Sequence, residues 1–343
     1  MTREAIVQLL RKMRKTVVPR SNVYGIAPLQ EANMPGKLTN ILRVFEPINF
    51  VKGRKPNSEY GGVFDKYHDT LSDSPVTIAT KLGKNWRDYN YHVIIQSAVC
   101  NFRCFYCYVD YSFLGGKMVE VAADEVIKQF LQEREKALVN GQQYNVLRIS
   151  GGEPMLIPDL TLICLRKIKE LKLDDTVCVK TETNLSPLAK VNGLALAAEW
   201  ADFEELSKYK NFIIHPTVHG ISAKNLHNNC SVDPVVFDMV CEGLQTLIDY
   251  QLDFYPSFGA NTTIPSDVQP FFNCLKKIHK NLPLRFAVRP FKFTYDAVCE
   301  RKGRNSLTIM TNQNEVISKW DSLLQETYGV KYAEIPRNKV SLY

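Results

Sequence analysis

The sequence has no long apolar run and no secretory start. Charged side chains are spread through its first 18 residues, whereas a secretory signal needs an uninterrupted apolar core. No apolar stretch of the chain approaches the roughly 20 residues that cross a bilayer as a helix. These absences exclude secreted and membrane-spanning classes, and they predict a cytoplasmic protein with no membrane partner.

The cysteine spacing of a disulfide framework is also missing. The nine cysteines are an odd number without obvious pairs, which suits a reducing compartment. Six of them are scattered singly and are interpreted as reduced, buried residues: Cys164, Cys178, Cys230, Cys241, Cys274 and Cys299. None of the six forms a second ligand group, so at most one metal centre is expected.

The other three cysteines are grouped in one loop. Cys100, Cys104 and Cys107 are separated by three and then two residues, and they follow the apolar run Val93–Ile95. Such a loop can direct three thiolates at one centre, and thiolates select iron–sulfur clusters, zinc or copper(I). A [4Fe–4S] cluster held only by protein takes four cysteines. Three cysteines would therefore leave one iron open to a non-protein ligand.

Two other interpretations of this loop are open. Buried structural cysteines are common, but they have no reason to cluster at ligand spacing beside the polar Asn101 and Arg103. Structural zinc needs a fourth ligand, and the nearest histidines, His92 and His68, lack a paired spacing. The iron–sulfur interpretation is favoured over both.

A second motif, Ser150-Gly151-Gly152-Glu153-Pro154, lies at the end of a predicted strand over residues 146–150. Glycines let a backbone approach a ligand closely, and a carboxylate such as that of Glu153 accepts hydrogen bonds from an ammonium group. Alone, the motif is equally compatible with an ordinary turn.

The cysteine loop, with the aromatic Tyr106 directly before its third cysteine, resembles the signature of the radical S-adenosylmethionine (SAM) enzymes. The resemblance implies that Cys100, Cys104 and Cys107 hold a [4Fe–4S] cluster whose open iron is chelated by the methionine part of SAM. It also implies that an electron from the cluster cleaves SAM, giving methionine and a 5′-deoxyadenosyl radical that abstracts hydrogen from a substrate.

The resemblance extends to the cofactor contacts. The glycine-rich motif of the family binds the amino group of SAM, a role that falls on Gly151, Gly152 and Glu153. Tyr106 is placed near the adenine. The segment Thr183-Asn184, after the third predicted strand, is placed near the ribose or the methionine part of SAM. A capped turn after the strand is the alternative for that segment.

Three later strand ends carry further polar candidates. His219 is a candidate proton donor or substrate contact, or else a hydrogen-bonded structural histidine. Asn261-Thr262-Thr263 are candidate ribose or adenine contacts. Arg289 is a candidate ligand for a carboxylate or phosphate.

Alternating strand-like and helix-like patterns begin after Asn90. The predicted strands cover residues 93–97, 146–150, 176–181, 212–218, 253–260 and 285–291. The predicted helices cover residues 122–138, 158–171, 188–201, 234–250, 267–280 and 312–328. Six β–α units argue for an α/β fold with a parallel sheet. Periodicity does not distinguish an open sheet from a barrel, but the resemblance favours a partial (β/α)6 TIM-like barrel with an irregular N-terminal extension.

The sequence predicts three regions: a basic N-terminal helix and irregular extension over residues 1–90, the radical SAM barrel over 91–328, and a C-terminal tail over 329–343. Residues 1–60 hold eleven basic and four acidic side chains, which is the whole surplus of +7. Such a segment is a candidate nucleic-acid contact, although a solvated charged face is commoner. An amphipathic helix over residues 3–17 is expected to dock on its own domain rather than on a membrane or a partner.

The reaction is less determined than the class. The chain has no cysteine-rich C-terminal extension, so it resembles single-cluster members of the family. The preferred substrate is a small molecule, nucleotide or RNA, and the alternative is a peptide or protein that the chain modifies or activates. A flavodoxin or ferredoxin is the expected electron donor. A non-catalytic iron–sulfur or zinc module is the hypothesis from another class, and the Gly-Gly-Glu motif argues against it.

Overall fold

A computed structural model describes residues 1–27, 37–39, 42–45, 75–89, 91–107, 109, 111, 118–290, 301 and 306–343. The helices of the described residues are α1 Arg3–Val17, α2 Pro75–Leu82, α3 Ala123–Val139, α4 Pro158–Glu170, α5 Phe203–Ser207, α6 Ala223–Cys230, α7 Val236–Asp249, α8 Val268–Ile278, α9 Leu282–Arg285 and α10 Ser306–Tyr328. The strands are β1 Val23–Ile26, β2 Lys37–Thr39, β3 Leu42–Phe45, β4 His92–Gln96, β5 Val119–Ala122, β6 Val146–Ser150, β7 Cys178–Thr183, β8 Lys190–Val191, β9 Leu194–Ala195, β10 Phe212–Val218, β11 Ser257–Gly259 and β12 Ala287–Arg289. Cys299 and His68 lie outside the described residues.

The main sheet has the strand order β12-β11-β10-β7-β6-β4-β3-β2. Its first six members are parallel and stand in chain order, as consecutive β–α units require. β4 and β10 are buried almost throughout, as is typical of strands with helices on one face and a filled interior on the other. The sheet of the described strands does not close on itself, and the predicted partial (β/α)6 barrel is confirmed.

Two antiparallel strands, β3 and β2, extend this sheet beyond β4. They come from the irregular extension predicted over residues 1–90. A separate antiparallel ribbon pairs β1 with β5. Two backbone hydrogen bonds join this ribbon to the first strand of the barrel. The Ala27 N–H donates to the Gln96 carbonyl at 2.9 Å, and the Ala98 N–H donates to the Gly25 carbonyl at 3.1 Å. The N-terminal segment therefore contacts the strand end from which the cysteine loop departs.

Most predicted elements appear, and two predicted strands, 146–150 and 212–218, have the observed bounds. The helix predicted over residues 188–201 is wrong. In its place β8 and β9 form a short hairpin, whose turn residues Asn192 and Gly193 have φ of 51° and 87°. An Asn-Gly pair strongly favours this left-handed turn, and the turn outweighs the helical spacing of the apolar residues.

Helix α1 docks on the barrel, as predicted. Thr2 caps it by accepting a hydrogen bond from the Ala5 N–H at 3.3 Å. Its apolar face is buried in the main core through Ile6, Val7, Leu10 and Val17. The helix is an integral part of the core.

Four arginines of the basic N-terminal segment form ion pairs with the body of the protein. The pairs are Arg3–Glu242, Arg11–Glu199, Arg14–Asp159 and Arg20–Glu120. These charges are consequently balanced within the chain. The expected nucleic-acid contact stays a prediction. Most of the other lysines and arginines of residues 1–60 have side chains outside the described residues.

Arg14 makes the most buried of these pairs. Its guanidinium donates to both carboxylate oxygens of Asp159 at 2.6 and 2.7 Å and to the Leu156 carbonyl at 2.7 Å, and Tyr24 donates to the same carboxylate. Replacing Arg14 with Met should lower the free energy of unfolding by about 1–3 kcal/mol, because partly buried acceptors lose charged donors. Urea unfolding of the reduced apoprotein measures this loss.

The matched control is Arg20→Met, which removes a pair whose side chains are 72% and 47% exposed. Exposed pairs contribute only about 0–1 kcal/mol, so this variant should unfold close to the wild type. Equal losses in the two variants would contradict the anchoring role of Arg14.

The C-terminal residues 329–343 also pack on the barrel. The Arg337 side chain is fully buried and donates to the carbonyls of Phe286 and Tyr332, and the Tyr332 hydroxyl accepts from the Val288 N–H. The division into regions 1–90, 91–328 and 329–343 stays a prediction. Among the helices of the described residues, none has the length and apolar character that a membrane crossing requires.

Candidate cluster and cofactor site

A cavity of about 250 Å³ opens at the carboxyl ends of the parallel strands. All nine predicted site residues line it: Cys100, Cys104, Tyr106, Cys107, Gly151, Gly152, Glu153, Thr183 and Asn184. They lie at the carboxyl ends of β4, β6 and β7 or in the loops that follow, because the carboxyl ends of parallel strands meet at one edge. His219 and Arg289 line the same cavity, whereas Asn261, Thr262 and Thr263 are not among its described lining residues.

The cysteine loop is held in place by hydrogen bonds to its backbone carbonyls. The Cys107 N–H donates to the Cys104 carbonyl at 3.0 Å, and the Tyr111 hydroxyl donates to the same carbonyl at 2.7 Å. Arg301 donates to the carbonyls of Cys107 and Val109 and lies 4.2 Å over the Tyr111 ring. The guanidinium brings a positive charge beside a loop that carries negative charge whenever its thiols are ionised.

The three thiols are largely shielded from water. Cys100 and Cys104 are 9% and 7% exposed. Burial raises the pKa of the Cys100 thiol and raises the pKa of the Cys107 thiol to about 12. A hydrogen bond with Cys230, together with burial, raises the pKa of Cys104. Because a metal centre takes thiolates, loading of the site must release protons.

The glycine-rich turn packs directly on the backbone that leads into the cysteine loop. Gly151 and Gly152 both have positive φ, 64° and 22°. A Cβ on Gly152 would lie 2.3 Å from the Val99 carbonyl oxygen and 2.5 Å from that of Ser97. The Glu153 N–H donates to the same Val99 oxygen at 2.6 Å. Glycine at position 152 is therefore what lets the two motifs touch.

The Glu153 carboxylate joins this turn to the segment after β7. It accepts from the Met155 N–H at 2.9 Å, the Thr183 hydroxyl at 2.7 Å and the Asn184 N–H at 2.7 Å. A carboxylate has about four acceptor positions, which leaves room for about one further donor. Burial raises the pKa of Glu153 to about 7, against the lowering effect of its three donors.

The sequence resemblance assigns Glu153 to the ammonium group of SAM, and with this role its raised pKa predicts a pH-dependent affinity for SAM. At pH 6 most of the carboxyl groups are neutral, and at pH 8 most are ionised, so the form that attracts an ammonium group increases about tenfold over this range. The affinity of the cluster-loaded protein for SAM should rise by up to about the same factor. Anaerobic calorimetry from pH 6 to 8 measures it.

The control for this prediction is Glu153→Gln. The variant should bind SAM weakly, with no rise between pH 6 and 8. It should also unfold more easily, because its amide nitrogen faces an N–H donor. A flat affinity profile in the wild type would show that Glu153 does not receive the ammonium group.

Asn184 links the third strand end to the cysteine loop. Its side-chain amide donates to Asn101 Oδ1 at 2.9 Å and lies 4.0 Å from Cys100 Sγ. Its own Oδ1 accepts from the Ser186 hydroxyl at 2.7 Å, and Asn101 donates to the same hydroxyl at 2.8 Å. This network fixes the position of Asn184 beside the first cysteine.

Tyr106 and His219 form a pair across the cavity. The Tyr106 hydroxyl is hydrogen-bonded to His219 Nδ1 at 2.8 Å, and the Phe102 ring packs edge-on against the imidazole. Tyr106 and His219, which the sequence predicts as separate candidates, are therefore hydrogen-bonded to each other, although they lie more than 100 positions apart in the chain.

The interior end of the cavity is polar and charged, which the sequence analysis missed. Glu182 is paired with Arg148 and accepts from the Ser150 hydroxyl, and His215 lies 3.8 Å from it. Although burial raises the pKa of Glu182, Arg148 and its other positive neighbours hold it well below the usual range. Arg148 and Ser150 occupy alternate positions of one apolar strand, a pattern that marks residues facing the barrel interior.

Arg289 lies beside this charged end. It donates to His215 Nε2 at 3.0 Å, and the Ser257 hydroxyl lies 3.1 Å from the same nitrogen. The cavity therefore has two chemically distinct regions. One contains the thiols and the glycine-rich turn, and the other contains arginine, histidine and one ion-paired carboxylate.

Three grouped thiols without a fourth protein ligand in their loop, beside a glycine turn and a buried carboxylate, fit a metal cluster that shares an open site with an amino-acid-like cofactor. The six parallel strands of the main sheet carry these groups at their carboxyl ends, and this sheet is open. Fold and site together define the class of partial-barrel proteins with a cluster and a cofactor in one cavity.

Comparisons with known proteins identify the family. The model of the radical SAM superfamily matches residues 94–266, which is half of the chain. The chain belongs to the radical SAM superfamily. Members of this family are enzymes that use a [4Fe–4S] cluster and SAM. No curated protein sequence matches the chain.

One solved structure shares the fold with a TM-score above 0.5, and two others are similar at lower scores. TYW1 with a lysine–pyruvate adduct bound has a TM-score of 0.52 and 11% identity, over 95% of this chain and 90% of that one. SuiB of Streptococcus suis bound to its precursor peptide SuiA has a TM-score of 0.47 and 15% identity, over 68% of this chain and 46% of that one. The protein anSMEcpe with bound AdoMet has a TM-score of 0.48 and 18% identity, over 71% and 58% of the two chains. The chain thus spans about half the length of SuiB.

Proposed function

We propose that this chain holds one [4Fe–4S] cluster through Cys100, Cys104 and Cys107 and binds SAM in the same cavity. When bound, the two groups supply a 5′-deoxyadenosyl radical that abstracts hydrogen from a substrate. The observation that carries the proposal is that both motifs and the Thr183-Asn184 segment line one cavity.

The residues of the chain have separable tasks in this proposal. Glu153 uses its remaining acceptor position to bind the ammonium group of SAM, and Gly151 and Gly152 let the cofactor approach the backbone. Asn184 is held beside Cys100, where it can contact the methionine or ribose part. Tyr106, positioned by His219, contacts the adenine. Shielding of the thiols limits the access of water to the reacting groups.

In this proposal the second region of the cavity binds an anionic group of the substrate. The substrate is then a small carboxylate, a nucleotide or RNA. Arg289 and Arg148 line this region together with His215. An arginine presents a planar fork of donors that matches a carboxylate or a phosphate. The substrate then extends from this region toward the SAM side, where the hydrogen is removed.

Formation of 5′-deoxyadenosine tests the proposal. The protein is purified and reconstituted with iron and sulfide without oxygen, reduced with dithionite and given SAM, and the product is quantified by mass spectrometry. We expect one four-iron cluster per chain and 5′-deoxyadenosine, and a deuterated substrate should transfer deuterium into it. Stoichiometric zinc without iron in protein purified anaerobically would instead indicate the non-catalytic module.

Arg289 provides a test of the substrate class. Among deuterated candidates, compounds with a carboxylate or phosphate should transfer deuterium at least about tenfold faster than their neutral amide or ester analogues. The variant Arg289→Gln should remove most of this preference, and Arg289→Lys should keep part of it. A preference that is unchanged in Arg289→Gln would contradict an anion contact at this position.

A further inference from the structure

Cys230 lies against one of the proposed cluster ligands. It is the last residue of α6 and is fully buried. Its Sγ lies 3.2 Å from Cys104 Sγ, although the two residues are 126 positions apart. In sequence it looks like any of the six scattered cysteines.

The contact between Cys230 and the loop is fixed by backbone hydrogen bonds. The Arg103 N–H donates to the Cys230 carbonyl at 2.9 Å, and the Phe105 N–H donates to the Asn229 carbonyl at 3.0 Å. These two donors flank Cys104. Helix α6 ends at Cys230, and the cap residue Ser231 that follows has a left-handed φ of 53°. The position of Cys230 beside Cys104 therefore does not depend on the two sulfur atoms alone.

The two sulfurs have different hydrogen-bonding capacities once the site is loaded. As a cluster ligand, Cys104 is a thiolate and can only accept a hydrogen bond, whereas a thiol group such as that of Cys230 can donate one. Hydrogen bonds to cluster sulfurs stabilise the more negative, reduced cluster and so raise its reduction potential. We propose that Cys230 is a positioning residue whose S–H group donates to the Cys104 thiolate and makes the cluster easier to reduce. This inference rests on the ligand set of the proposed function.

His219 is the other neighbour of this sulfur, with Nδ1 at 3.7 Å from Cys104 Sγ. The same nitrogen lies closer to the Tyr106 hydroxyl, at 2.8 Å. The imidazole is therefore engaged mainly by Tyr106. Cys230 is the nearer hydrogen-bonding neighbour of Cys104.

Cys104, His219 and Cys230 also have the composition of a zinc site, with ligand atoms within 4.8 Å of one another. The nitrogen that would complete this zinc site, His219 Nδ1, lies 2.8 Å from the Tyr106 hydroxyl, and Cys104 is one of the three grouped thiols of the loop. The hydrogen bond is therefore favoured over shared zinc ligation.

The test is a redox titration of the reconstituted full-length protein, followed by the EPR signal of the reduced cluster. The variants are Cys230→Ala, Cys230→Val, which fills the volume without a donor, and Cys230→Ser, which keeps one. The control is Cys164→Ala, a buried cysteine of α4. We expect full iron content in all of them. The midpoint should shift to a more negative potential in the alanine and valine variants and stay near the wild type in the serine and control variants.

Three results would overturn the inference, and the first of them leaves the proposed function intact. An unchanged midpoint in Cys230→Ala and Cys230→Val would show that no hydrogen bond acts on the cluster. Loss of iron in these two variants, with retention in Cys164→Ala, would make Cys230 a ligand. Zinc in the wild type that disappears in both variants would assign Cys230 to a zinc site. Failure of the wild type to assemble a cluster would contradict the proposed function itself.

Discussion

Alanine in place of Cys100, Cys104 or Cys107 should remove the cluster and reduce 5′-deoxyadenosine formation to the background seen without protein. In the proposed ligand set each of these cysteines supplies one of three protein bonds to the cluster, and a cofactor that carries the difficult chemistry cannot be replaced by the remaining residues. Iron and sulfide analysis after anaerobic reconstitution measures the loss directly, and mass spectrometry measures the product.

Cys164→Ala and Cys178→Ala are the matched controls. Both residues are buried and reduced cysteines of the barrel, so these variants lose a thiol of similar exposure without touching the cavity. They should keep full iron content and activity. Full iron in any loop variant, or loss of iron in both controls, would contradict the assignment of the three ligands.

The sequence was sufficient for the parts of the site that are local in the chain. Cys100, Cys104 and Cys107 lie within eight consecutive positions, and Gly151, Gly152 and Glu153 are contiguous. The consecutive order of the six parallel strands then brings these segments to one edge without any long-range information. For this reason the whole predicted set lines one cavity.

Long-range contacts could not be predicted in the same way. Cys230 is spaced like the other scattered cysteines, and only the packing of α6 against the loop brings its sulfur to Cys104. Arg301, which holds the carbonyls of the loop, is almost 200 positions away. A single sequence does not show that residues so far apart in the chain are in contact.

Other differences had a visible signal. The pair Asn192-Gly193 indicated a hairpin turn inside the segment that the apolar spacing assigned to a helix. Arg148 interrupts an apolar strand, and Glu182 lies in a strand that is buried almost throughout. Such buried charges require partners, so they could have indicated a polar interior. A rule for strand alternation would therefore have found the charged end of the cavity.

Alanine in place of Gly152 should destabilise the protein and abolish SAM binding together. The left-handed region costs a non-glycine residue about 1–2 kcal/mol, and the new Cβ would collide with the carbonyl oxygens of Val99 and Ser97. Both obstacles are backbone atoms of the segment that leads into Cys100, so relief of the collision must move this proposed cluster ligand. We expect the free energy of unfolding to fall by about 3 kcal/mol or more, measured by urea unfolding, with SAM binding followed by calorimetry.

Gly141→Ala separates the two causes. Gly141 also has a positive φ, 69°, but a Cβ there would have no atom within 4 Å. This variant should lose only the conformational cost of about 1–2 kcal/mol and bind SAM like the wild type. If Gly152→Ala lost no more stability than Gly141→Ala and still bound SAM, the glycine turn would tolerate a side chain. The close contact between the two motifs would then not be what shapes the cofactor site.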